Sequence, residues 1–594
     1  MNPIDAPNWN YRWTTLAAME LIRQGVRNFF ISPGSRSTPL AWAVADTPGA
    51  QCHVHFDERG AAFAALGCAR ATKTPVVLLC TSGSAVANYF PAVVEADAAN
   101  VPLLLLTADR PPELLDCGAN QAIDQDKIFH NHLRWFFNLP CPAPEVPATL
   151  VLTSIAQALR RCTGAFAGPV QLNFQFREPL APTRINLPPL EEILLDWISQ
   201  DSPYTTWHTG FTTLNEAQLK TIADNICSTE RGLLVVGQLQ DCNEADACHA
   251  LATALGWPVF ADITSNIYST GYCAPNIRYY DALLQCPEYV HACNPDVILH
   301  IGASIISKRL NQHLAKQKGR YIQINAHPER HDNNHQVRDR YEADLTTACI
   351  QLSHLLHTRK QGSPTTEATW AERWYAADKA IDTFLTQRLE NSEPITEPGV
   401  LRCVSRQIHA DSILFVGNSM PVRDLDLFAA LSDDNSSNYR VTANRGASGI
   451  DGNIATAWGW ALGTKAPVTA ILGDLAALHD MNSLALMKAS KTPFSLIIIN
   501  NHGGGIFSFL PVADHTTHFE LLFGTPHGLK FNALASMFGL DYYQPKSMKE
   551  FSSIYKACQK GTAANLIEVH TNREENVQFH RTVQDEIQKV IMQH

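Results

Sequence analysis

The chain has 594 residues, of which 45% are hydrophobic and 17% are charged. This length predicts three or four domains, and the composition excludes an intrinsically disordered protein. The formal net charge of −11 argues against nucleic acid or an anionic membrane surface as a partner.

The 15 cysteines are scattered, without a CxxC pair or a Cys/His cluster at zinc spacing. This pattern is typical of reduced thiols in a cytoplasmic protein. The first residues lack a basic segment followed by an apolar one, so we predict no signal peptide. The longest uncharged run, 74–94, is interrupted by turn residues, which argues against stable insertion into a membrane.

The first third of the chain alternates short apolar runs with helical patterns. Helices interspersed between strands predict a parallel sheet covered by helices on both faces. The predicted strands are 28–31, 53–56, 76–80, 103–107 and 170–174, and the predicted helices are 58–72, 85–98 and 150–162.

Polar residues follow four successive strands of this predicted sheet. Each has an ordinary alternative: the glutamate could favour its helix N-terminus, and the arginines could pair with nearby acids. Four such clusters at the strand ends of one sheet together predict a functional edge. The residues are Ser35 and Arg36, then Glu58, then Gly83, and finally Arg110 and Gln121.

Two irregular segments suggest domain boundaries. The proline-rich segment 178–203 and the polar segment 357–369 read as linkers. We therefore predict domains at 1–185, 186–356 and 357–594. The middle domain has predicted strands at 233–236, 297–301 and 321–324 and no dinucleotide fingerprint, so it is expected to be mainly structural. Its Lys308 and Arg309 either lie on a solvated helix surface or reach into a cleft.

The last third repeats the α/β pattern, with predicted strands at 412–416, 439–443, 467–472, 494–499 and 565–570. A C-terminal amphipathic helix is expected from about residue 574. The strand at 412–416 leads into GNSMPVRDLD, which carries Ser419 and Arg423. This order of strand, Gly, Ser, Pro, Arg and helix is that of SPGSRSTPL in the first third, so we predict an architectural repeat.

Two further strands of this region end in Gly473-Asp474-Leu475 and in Asn501 with a glycine triplet. A helix from about 476 to 489 is expected to connect them, so that Asp474 and Asn501 stand at neighbouring strand ends. A carboxylate, an amide oxygen and a carbonyl freed in the glycine loop suit magnesium carrying a diphosphate. An ordinary βαβ crossover with a glycine turn is the alternative.

These residues resemble the metal and diphosphate motif of thiamine-diphosphate enzymes, whose other hallmark is a glutamate after an N-terminal strand. More specifically, the chain is similar to the 2-succinyl-5-enolpyruvyl-6-hydroxy-3-cyclohexene-1-carboxylate synthases of menaquinone biosynthesis, the MenD family. The resemblance spans the chain and is weakest in the middle domain. It implies three doubly wound α/β domains with mainly parallel sheets. The segments that carry it are SPGSRSTPL, HFDERGAAFAALG, TADRPPEL, GNSMPVRDLD, NRGASGIDG and NNHGGGIFSFLP.

The resemblance implies a transferase that uses thiamine diphosphate and Mg²⁺ or Mn²⁺. It would decarboxylate 2-oxoglutarate and add the resulting succinyl carbanion to isochorismate. Glu58 would be the catalytic residue, hydrogen-bonded to the aminopyrimidine ring, and Ile450 would prop the cofactor in its bent shape. The metal ligands would be Asp474, Asn501 and the carbonyl of Gly503. The cofactor contacts would be Glu58, Gly83, Ser419, Ile450, Gly473, Asp474, Leu475, Asn501 and Ile506.

Both implied substrates are dicarboxylates, which arginine binds with two hydrogen bonds. Ser419, Arg423 and Arg445 are expected to hold the distal carboxylate of the succinyl part. The residues expected to receive isochorismate are Ser35, Arg36, Arg110, Gln121, Lys308 and Arg309. The residues expected to wall the cavity are Ile506, Phe507 and Leu510. His502 is expected to offer its backbone to the loop, and any chemical role of its ring stays open.

The family also implies a homodimer or homotetramer whose active sites combine Glu58 of one chain with Asp474 of another. Two alternatives remain at this point. A carboligase or decarboxylase of the acetolactate-synthase type would act on small 2-oxo acids and would not need so many arginines. A catalytically inactive cofactor-binding relative would not need to retain Glu58, Asp474 and Asn501.

Overall fold

The computed structural model describes residues 2–164, 166–267, 276–360, 368–390, 393–430 and 439–593, without the side chains of 360 and 368–371. Within these residues the strands form three sheets, and every strand pair is parallel. The predicted α/β fold is thereby confirmed. No helix in the described ranges is long and apolar enough to cross a membrane.

The first sheet has the strand order β2-β1-β3-β4-β6-β5. Its strands are β1 Asn28–Ile31, β2 Gln51–Val54, β3 Val76–Cys80, β4 Leu103–Asp109, β5 Trp135–Leu139 and β6 Val170–Gln175. The accompanying helices are α1 Trp9–Arg23, α2 Thr38–Ala45, α3 Glu58–Thr72, α4 Ser84–Asn88, α5 Phe90–Ala98 and α6 Thr149–Cys162. β3 and β4 are buried along their whole length, as expected of inner strands covered on both faces.

The second sheet has the order β11-β10-β9-β7-β8. Its strands are β7 Gly232–Val236, β8 Val259–Ala261, β9 Val297–Ile301, β10 Arg320–Asn325 and β11 Asp339–Glu342. The helices of this region are α7 Glu192–Ile198, α8 Glu216–Cys227, α9 Cys242–Leu255, α10 Tyr280–Leu283, α11 Pro287–Ala292, α12 Lys308–Leu314 and α13 Leu345–Lys360. Lys308 and Arg309 therefore open a helix, as predicted.

The third sheet has the order β13-β12-β14-β15-β17-β16. Its strands are β12 Ile413–Val416, β13 Arg440–Thr442, β14 Val468–Gly473, β15 Phe494–Asn500, β16 Asp541–Tyr543 and β17 Ala564–His570. The helices are α14 Ala368–Leu389, α15 Glu397–Gln407, α16 Met420–Phe428, α17 Asn453–Thr464, α18 Asp474–His479, α19 Leu484–Lys488, α20 Phe531–Phe538, α21 Met548–Lys560 and α22 Arg573–Ile591.

The first and third sheets have the same topology. Counted from its own first strand, each has the order 2-1-3-4-6-5. β1, which precedes SPGSRSTPL, and β12, which precedes GNSMPVRDLD, hold the same position in their sheets. The predicted architectural repeat is therefore confirmed. In both sheets the order changes direction between the first and third strands, which is where doubly wound sheets bind ligands.

Several predicted boundaries are wrong by a few residues or more. The strand predicted at 53–56 lies at Gln51–Val54, and the helix predicted at 85–98 is interrupted at Tyr89. The single helix predicted at 476–489 is instead two short helices, α18 and α19, joined by a 3₁₀ turn. At that turn the Asp480 carboxylate accepts hydrogen bonds from the Ser483 hydroxyl and the Ala455 amide, which fixes the break.

The predicted linkers have different outcomes. Residues 178–191 are irregular as predicted, but 192–198 form α7. The second predicted linker, 357–369, lies largely outside the described residues, and its flanks belong to α13 and α14. The three sheets fall within the three predicted domain ranges, whose boundaries stay a prediction.

The chain divides into two compact units. The first unit comprises Met1–Gly210, Asn444–Ala466 and Ala476–Lys491, and the second comprises Phe211–Ala443, Pro467–Leu475 and Thr492–His594. The first unit contains the first sheet, and the second unit contains the other two.

Within the first unit, α3 packs closely against α17. A Cβ atom on Gly67 would lie 2.1 Å from the Thr456 carbonyl oxygen, and one on Gly459 would lie 2.1 Å from that of Ala64. Only glycine permits backbones to approach this closely. Gly452, just before α17, packs on Phe63 near the start of α3. The starts of the two helices, next to Glu58 and Ile450, therefore lie at the same end of the pair.

Candidate active site

Asp474 and Asn501 follow the ends of two neighbouring strands. β14 ends at Gly473 and β15 ends directly before Asn501, and Gly473 pairs with Ile499 in the parallel register. The prediction that the two residues stand at adjacent strand ends is confirmed. β12, on the other side of β14, leads to Ser419, so all three residues lie at the switch point of the third sheet.

The Asn501 amide is oriented with its oxygen unpaired. Its Nδ2 donates a hydrogen bond of 3.0 Å to Oε1 of Glu397. Its Oδ1 is buried and has no hydrogen-bond partner among the described residues. Leaving a buried carbonyl oxygen unpaired costs about 1–3 kcal/mol. A cation bound at this oxygen would remove that cost.

The Asp474 carboxylate is 1% exposed and faces the glycine loop. Its Oδ2 accepts hydrogen bonds from the Gly503 amide at 2.9 Å and from Nε2 of His527 at 3.1 Å. Its Oδ1 accepts one from the Leu475 amide at 2.7 Å. His527 was not identified from the sequence, because it lies in a loop far from the motif.

Gly503 must be glycine for two reasons. Its φ is 138°, and an added Cβ would lie 1.9 Å from the Gly524 carbonyl oxygen. Its own carbonyl oxygen accepts one hydrogen bond, from the Gly505 amide at 2.9 Å, which leaves a second lone pair. Together with Asp474 and Asn501 it offers an all-oxygen ligand set, which fits Mg²⁺ or Mn²⁺.

No group of three His, Cys, Asp or Glu side chains suited to a metal is found in the described part of the chain. This is consistent with the ligand set above, which contains a single carboxylate. The neighbouring His502 has a φ of 59°, and its amide donates to Oδ1 of Asn500. The centroid of its ring lies 5.7 Å from the ring centroids of His527 and His570.

Ser419 has a backbone conformation that residues with side chains rarely adopt. Its φ is 73° and its ψ is −128°, at the position before α16. Gly83 has nearly the same angles, φ 82° and ψ −140°, before α4. Strain of this kind costs about 1–3 kcal/mol and is concentrated at functional sites. The Ser419 carbonyl also accepts a hydrogen bond from the Arg423 guanidinium at 2.5 Å.

A cavity of about 570 Å³ in the second unit collects five of the predicted residues. They are Lys308, Arg309, Arg423, Ile506 and Leu510. Phe507 is not among the residues that line it; its ring packs instead on Phe523 at 5.6 Å, and Phe509 lines the cavity. The cavity is therefore lined by residues from the regions of both the second and the third sheet. Lys308, which is exposed, and Arg309, which is half-buried, both line this cleft.

The cations of this cavity differ in their surroundings. The Arg309 guanidinium forms an ion pair with Asp281, which also accepts a hydrogen bond from the Ser307 hydroxyl. Arg581, on α22, lines the same cavity and was not predicted, because no motif surrounds it. Lys308, Arg423 and Arg581 add positive charge beyond the Arg309 pair, as binding of a dicarboxylate requires.

The wall of the cavity contains a buried histidine that lies next to a buried carboxylate. Nε2 of His580 lies 3.2 Å from Oδ1 of Asp424, and both side chains are almost fully buried. The His580 ring packs edge-on against Phe509 at 5.0 Å. Burial, and then the nearby Asp424 charge, raise the pKa of Glu397 to about 7. This places two buried carboxyl groups between the candidate metal ligands and the cavity wall.

The first unit holds a second group of predicted residues around Ser82. The Arg110 guanidinium donates to the Ser82 hydroxyl at 2.5 Å, and the Gln121 amide donates to the Ser82 carbonyl at 3.0 Å. An added Cβ on Gly83 would lie 2.8 Å from Cγ of Gln121.

Arg36 belongs to the same group. Arg36 and Arg110 are 9% and 8% exposed. Burial, and then the Arg110 charge, lower the pKa of Arg36. The Arg36 guanidinium lies 3.4 Å from the exposed Glu178 carboxylate, which balances part of this charge, and the two buried guanidinium groups together favour a further anion. Ser35, one residue earlier, is exposed.

Glu58 is the first residue of α3 and is half-buried. The preceding Asp57 caps the helix by accepting from the amides of Arg59 and Gly60 at 3.0 and 3.4 Å. Glu58 is therefore not needed as the cap. Its Oε2 accepts a hydrogen bond from Nδ2 of Asn88, which was not identified from the sequence.

The two phenylalanine residues nearest to Glu58 in the sequence differ in burial. Phe63 is buried, and Phe56 is 65% exposed in the single chain.

The Glu95 carboxylate holds the loop that carries Arg445 and Ile450 through hydrogen bonds. One carboxylate oxygen of Glu95 accepts from the Gly446 amide at 2.8 Å, and the other accepts from the Ala447 amide at 2.6 Å. The Glu95 side chain is 2% exposed. Arg445 is half-buried, and Ile450 is 41% exposed in the single chain.

Comparison with protein-family models gives three matches along the chain. Residues 13–128 match the N-terminal TPP-binding domain of thiamine pyrophosphate enzymes, and residues 430–569 match the C-terminal TPP-binding domain. Residues 189–416 match the middle domain of thiamine pyrophosphate enzymes. The three matches follow the order of the three sheets.

Curated relatives match the chain over nearly its full length. A protein of Rubrobacter xylanophilus is 44% identical over 97% of this chain and 98% of its own length. Relatives of Salinibacter ruber and Chlorobaculum parvum are each 40% identical, over 99% and 97% of this chain and 98% and 97% of their own lengths. All three are named 2-succinyl-5-enolpyruvyl-6-hydroxy-3-cyclohexene-1-carboxylate synthase.

Proposed function

We infer the function from family membership, since the chain belongs to the family of 2-succinyl-5-enolpyruvyl-6-hydroxy-3-cyclohexene-1-carboxylate synthases. It is a thiamine-diphosphate-dependent transferase of menaquinone biosynthesis. It decarboxylates 2-oxoglutarate and transfers the succinyl part to isochorismate. The observation that supports this reaction best is the cavity of about 570 Å³, in which Lys308, Arg423 and Arg581 offer cations to dicarboxylate substrates.

The residues at the switch point of the third sheet fit the cofactor's metal. Asp474, the unpaired Oδ1 of Asn501 and the Gly503 carbonyl would hold Mg²⁺ or Mn²⁺. When bound, thiamine diphosphate supplies an electron sink for the loss of carbon dioxide from a 2-oxo acid. Glu58 would share a proton with the aminopyrimidine ring, and the exposed Ile450 side chain would support the cofactor's shape.

The positions of the cations suggest how the chain handles its substrates. Arg423 and Ser419, which are hydrogen-bonded to each other, and Arg445 would hold the distal carboxylate of the succinyl part. The residues that we propose for binding isochorismate, from this chain or from a partner chain, are Ser35, Arg36, Arg110, Gln121, Lys308 and Arg309. Ile506 and Leu510 would limit the access of water, which could otherwise protonate the succinyl carbanion before transfer.

The choice of 2-oxo acid tests this function. With thiamine diphosphate and Mg²⁺ we expect carbon dioxide release from 2-oxoglutarate and little from pyruvate. Arg423→Ala should weaken this half-reaction, because it removes the fork that binds the distal carboxylate. Arg330→Ala, at an exposed position of the same unit, is the matched control. Preferential release from pyruvate would indicate an enzyme of the acetolactate-synthase type.

A cofactor-binding relative without catalysis would fail at an earlier step. We expect the enzyme to accelerate exchange of the thiazolium proton of bound thiamine diphosphate for deuterium. Absence of that exchange in protein that binds the cofactor would support an inactive relative.

We also propose that the protein is a homodimer or homotetramer in which Glu58 and Asp474 of different chains serve one site. Phe56 and Ile450, which flank the start of α3 and α17, are large apolar side chains left exposed in the single chain. A second copy that covers them would complete the site. A fully active monomer in sedimentation measurements would contradict this assembly. A cytoplasmic location is proposed from the free thiol state of the described cysteines.

A further inference from the structure

We propose that Glu397 is a positioning residue that fixes the Asn501 amide with its oxygen, rather than its nitrogen, toward the metal. The inference rests on the proposed function for the role of Asn501 as a ligand. Glu397 lies more than 100 positions away in sequence and belongs to no motif of the metal site. The two side chains are joined by a buried hydrogen bond of 3.0 Å from Nδ2 of Asn501 to Oε1 of Glu397.

An asparagine side chain is nearly symmetric in shape, so its neighbours decide which end faces the metal. Oε1 of Glu397 also accepts a hydrogen bond from the Thr571 hydroxyl, so this oxygen acts as an acceptor and selects the NH₂ end of Asn501. Rotation of the amide by half a turn would place two acceptor oxygens against each other. It would also put a donor, which cannot bind a cation, where the unpaired oxygen of Asn501 now lies.

Crowding keeps the amide in its place. An added Cβ on Gly505 would lie 2.7 Å from Nδ2 of Asn501, so the glycine loop closes over the amide. The oxygen end is buried and lacks a partner among the described residues. The amide is therefore held by its nitrogen end, and the oxygen remains available for a ligand.

Glu397 is itself held by regular structure. It is the first residue of α15, whose capping Thr396 accepts a hydrogen bond from the Gly399 amide at 3.2 Å. The Glu397 side chain is 2% exposed. Thr571, just after β17, donates its hydroxyl to the same Oε1 at 2.9 Å, and its amide donates to the Asn500 carbonyl at 3.1 Å. The carboxylate is thus fixed from a helix and from the strand next to β15.

Glu397 is thus a hydrogen-bond partner of the proposed metal ligand Asn501. Partners of this kind orient the ligand, and their loss typically lowers metal affinity by about 10–100-fold. A merely structural glutamate would act on stability and leave the metal affinity of the folded protein unchanged. Metal affinity and folding stability must therefore be measured on the same variants.

The test is the affinity for Mn²⁺ in the presence of thiamine diphosphate, followed by electron paramagnetic resonance. Glu397→Gln keeps the shape but offers an NH₂ group that tolerates the reversed Asn501 amide. We expect the Mn²⁺ dissociation constant to rise about 10–100-fold, with the melting temperature of the metal-free protein nearly unchanged. Activity should recover when the metal concentration is raised. Glu575→Gln, an exposed glutamate on α22 near the same site, should behave as wild type.

Thr571→Val provides a second variant in case Glu397→Gln does not fold. It removes one hydrogen bond to Glu397 but leaves the carboxylate, so a smaller rise of about fivefold is expected. An unchanged Mn²⁺ dissociation constant in a folded Glu397→Gln or Thr571→Val protein would overturn the proposal. If the wild type binds Mn²⁺ and thiamine diphosphate but forms no succinylated product, the proposed function fails while the role of Glu397 stands.

Discussion

Ser419 combines a strained backbone with a predicted role at the switch point of the third sheet. Its φ of 73° and ψ of −128° suit glycine, yet the position carries a hydroxyl. Gly83, before α4 in the first sheet, has nearly the same angles, and there they cost little because the residue is glycine. Strain of this kind is concentrated at functional sites, so we predict that the Ser419 hydroxyl serves binding or catalysis.

Substitution at Ser419 should therefore separate stability from activity. Ser419→Gly and Ser419→Ala both remove the hydroxyl, but only glycine relieves the strain. We expect the glycine variant to be more stable than the alanine variant by about 1–2 kcal/mol in denaturant unfolding. Both variants should lose decarboxylation of 2-oxoglutarate to a similar extent. Wild-type activity in either variant would show that the hydroxyl is not used.

The glycine loop after β15 should not tolerate a side chain at Gly503. An alanine Cβ would lie 1.9 Å from the Gly524 carbonyl oxygen, so the loop that carries Asn501 would have to move. We expect Gly503→Ala to lose Mn²⁺ binding and at least about 100-fold in activity, the effect of misplacing a site by about 1 Å. Gly210→Ala, where an added Cβ meets nothing within 4 Å, is the control.

At the scale of elements, the inner strands could be predicted from the sequence, whereas four of the six strands at sheet edges could not. α3 was predicted with its observed bounds, because apolar residues recur along it and Asp57 caps it. Four strands that were not predicted, β5, β8, β11 and β16, all lie at the edge of a sheet. β11 and β16 contain charged residues, and β5 and β8 adjoin Pro140 and Pro258, so their signal resembles that of a loop.

The residues of the candidate site also divide into those that the sequence predicts and those that it does not. Asp474, Asn501 and the arginines lie in motifs at strand ends and could be predicted. Glu397, Glu95, His527 and Arg581 touch these residues or their cavity only through the tertiary fold. A single carboxylate or arginine on a helix carries no local signal of its partner. Residues that contact the predicted site residues, but carry no sequence motif of their own, are therefore found only from the structure.

The contact between α10 and α14 should make stability depend on pH. Oδ1 of Asp378 accepts a hydrogen bond from the Tyr279 amide at 2.6 Å, and burial raises the pKa of Asp378 from 3.8 to about 7. Between pH 3.8 and about pH 7, Asp378 keeps its proton in the folded protein but has lost it in the unfolded chain. The free energy of unfolding therefore falls as pH rises, by up to about 1.4 kcal/mol per pH unit.

Asp378→Asn removes this titration and keeps an oxygen for the Tyr279 amide. Between about pH 4 and pH 7, the urea midpoint of the variant should fall less steeply with pH than that of the wild type. Above about pH 7 the urea midpoints of the variant and the wild type should change with pH at the same rate. The same substitution at the exposed Asp196 controls for the change in charge. Equal slopes in variant and wild type would contradict a buried, protonated Asp378.

At the scale of the whole molecule, the proposed assembly predicts that two inactive variants restore each other. Glu58→Gln and Asp474→Asn should each abolish activity. If each site takes Glu58 from one chain and Asp474 from its partner, a mixed dimer has one site with both changes and one with neither. Random reassembly of equal amounts should then restore about a quarter of the wild-type activity. No recovery after subunit exchange would show that both residues of a site belong to one chain.

The formation of product tests the central claim most directly. Purified protein would be mixed with thiamine diphosphate, Mg²⁺, 2-oxoglutarate and isochorismate, and the products followed by mass spectrometry. We expect a compound with the mass of isochorismate plus 2-oxoglutarate less carbon dioxide, and its loss when Asp474→Asn replaces the wild type. Release of carbon dioxide and succinic semialdehyde, without any isochorismate adduct, would contradict a synthase.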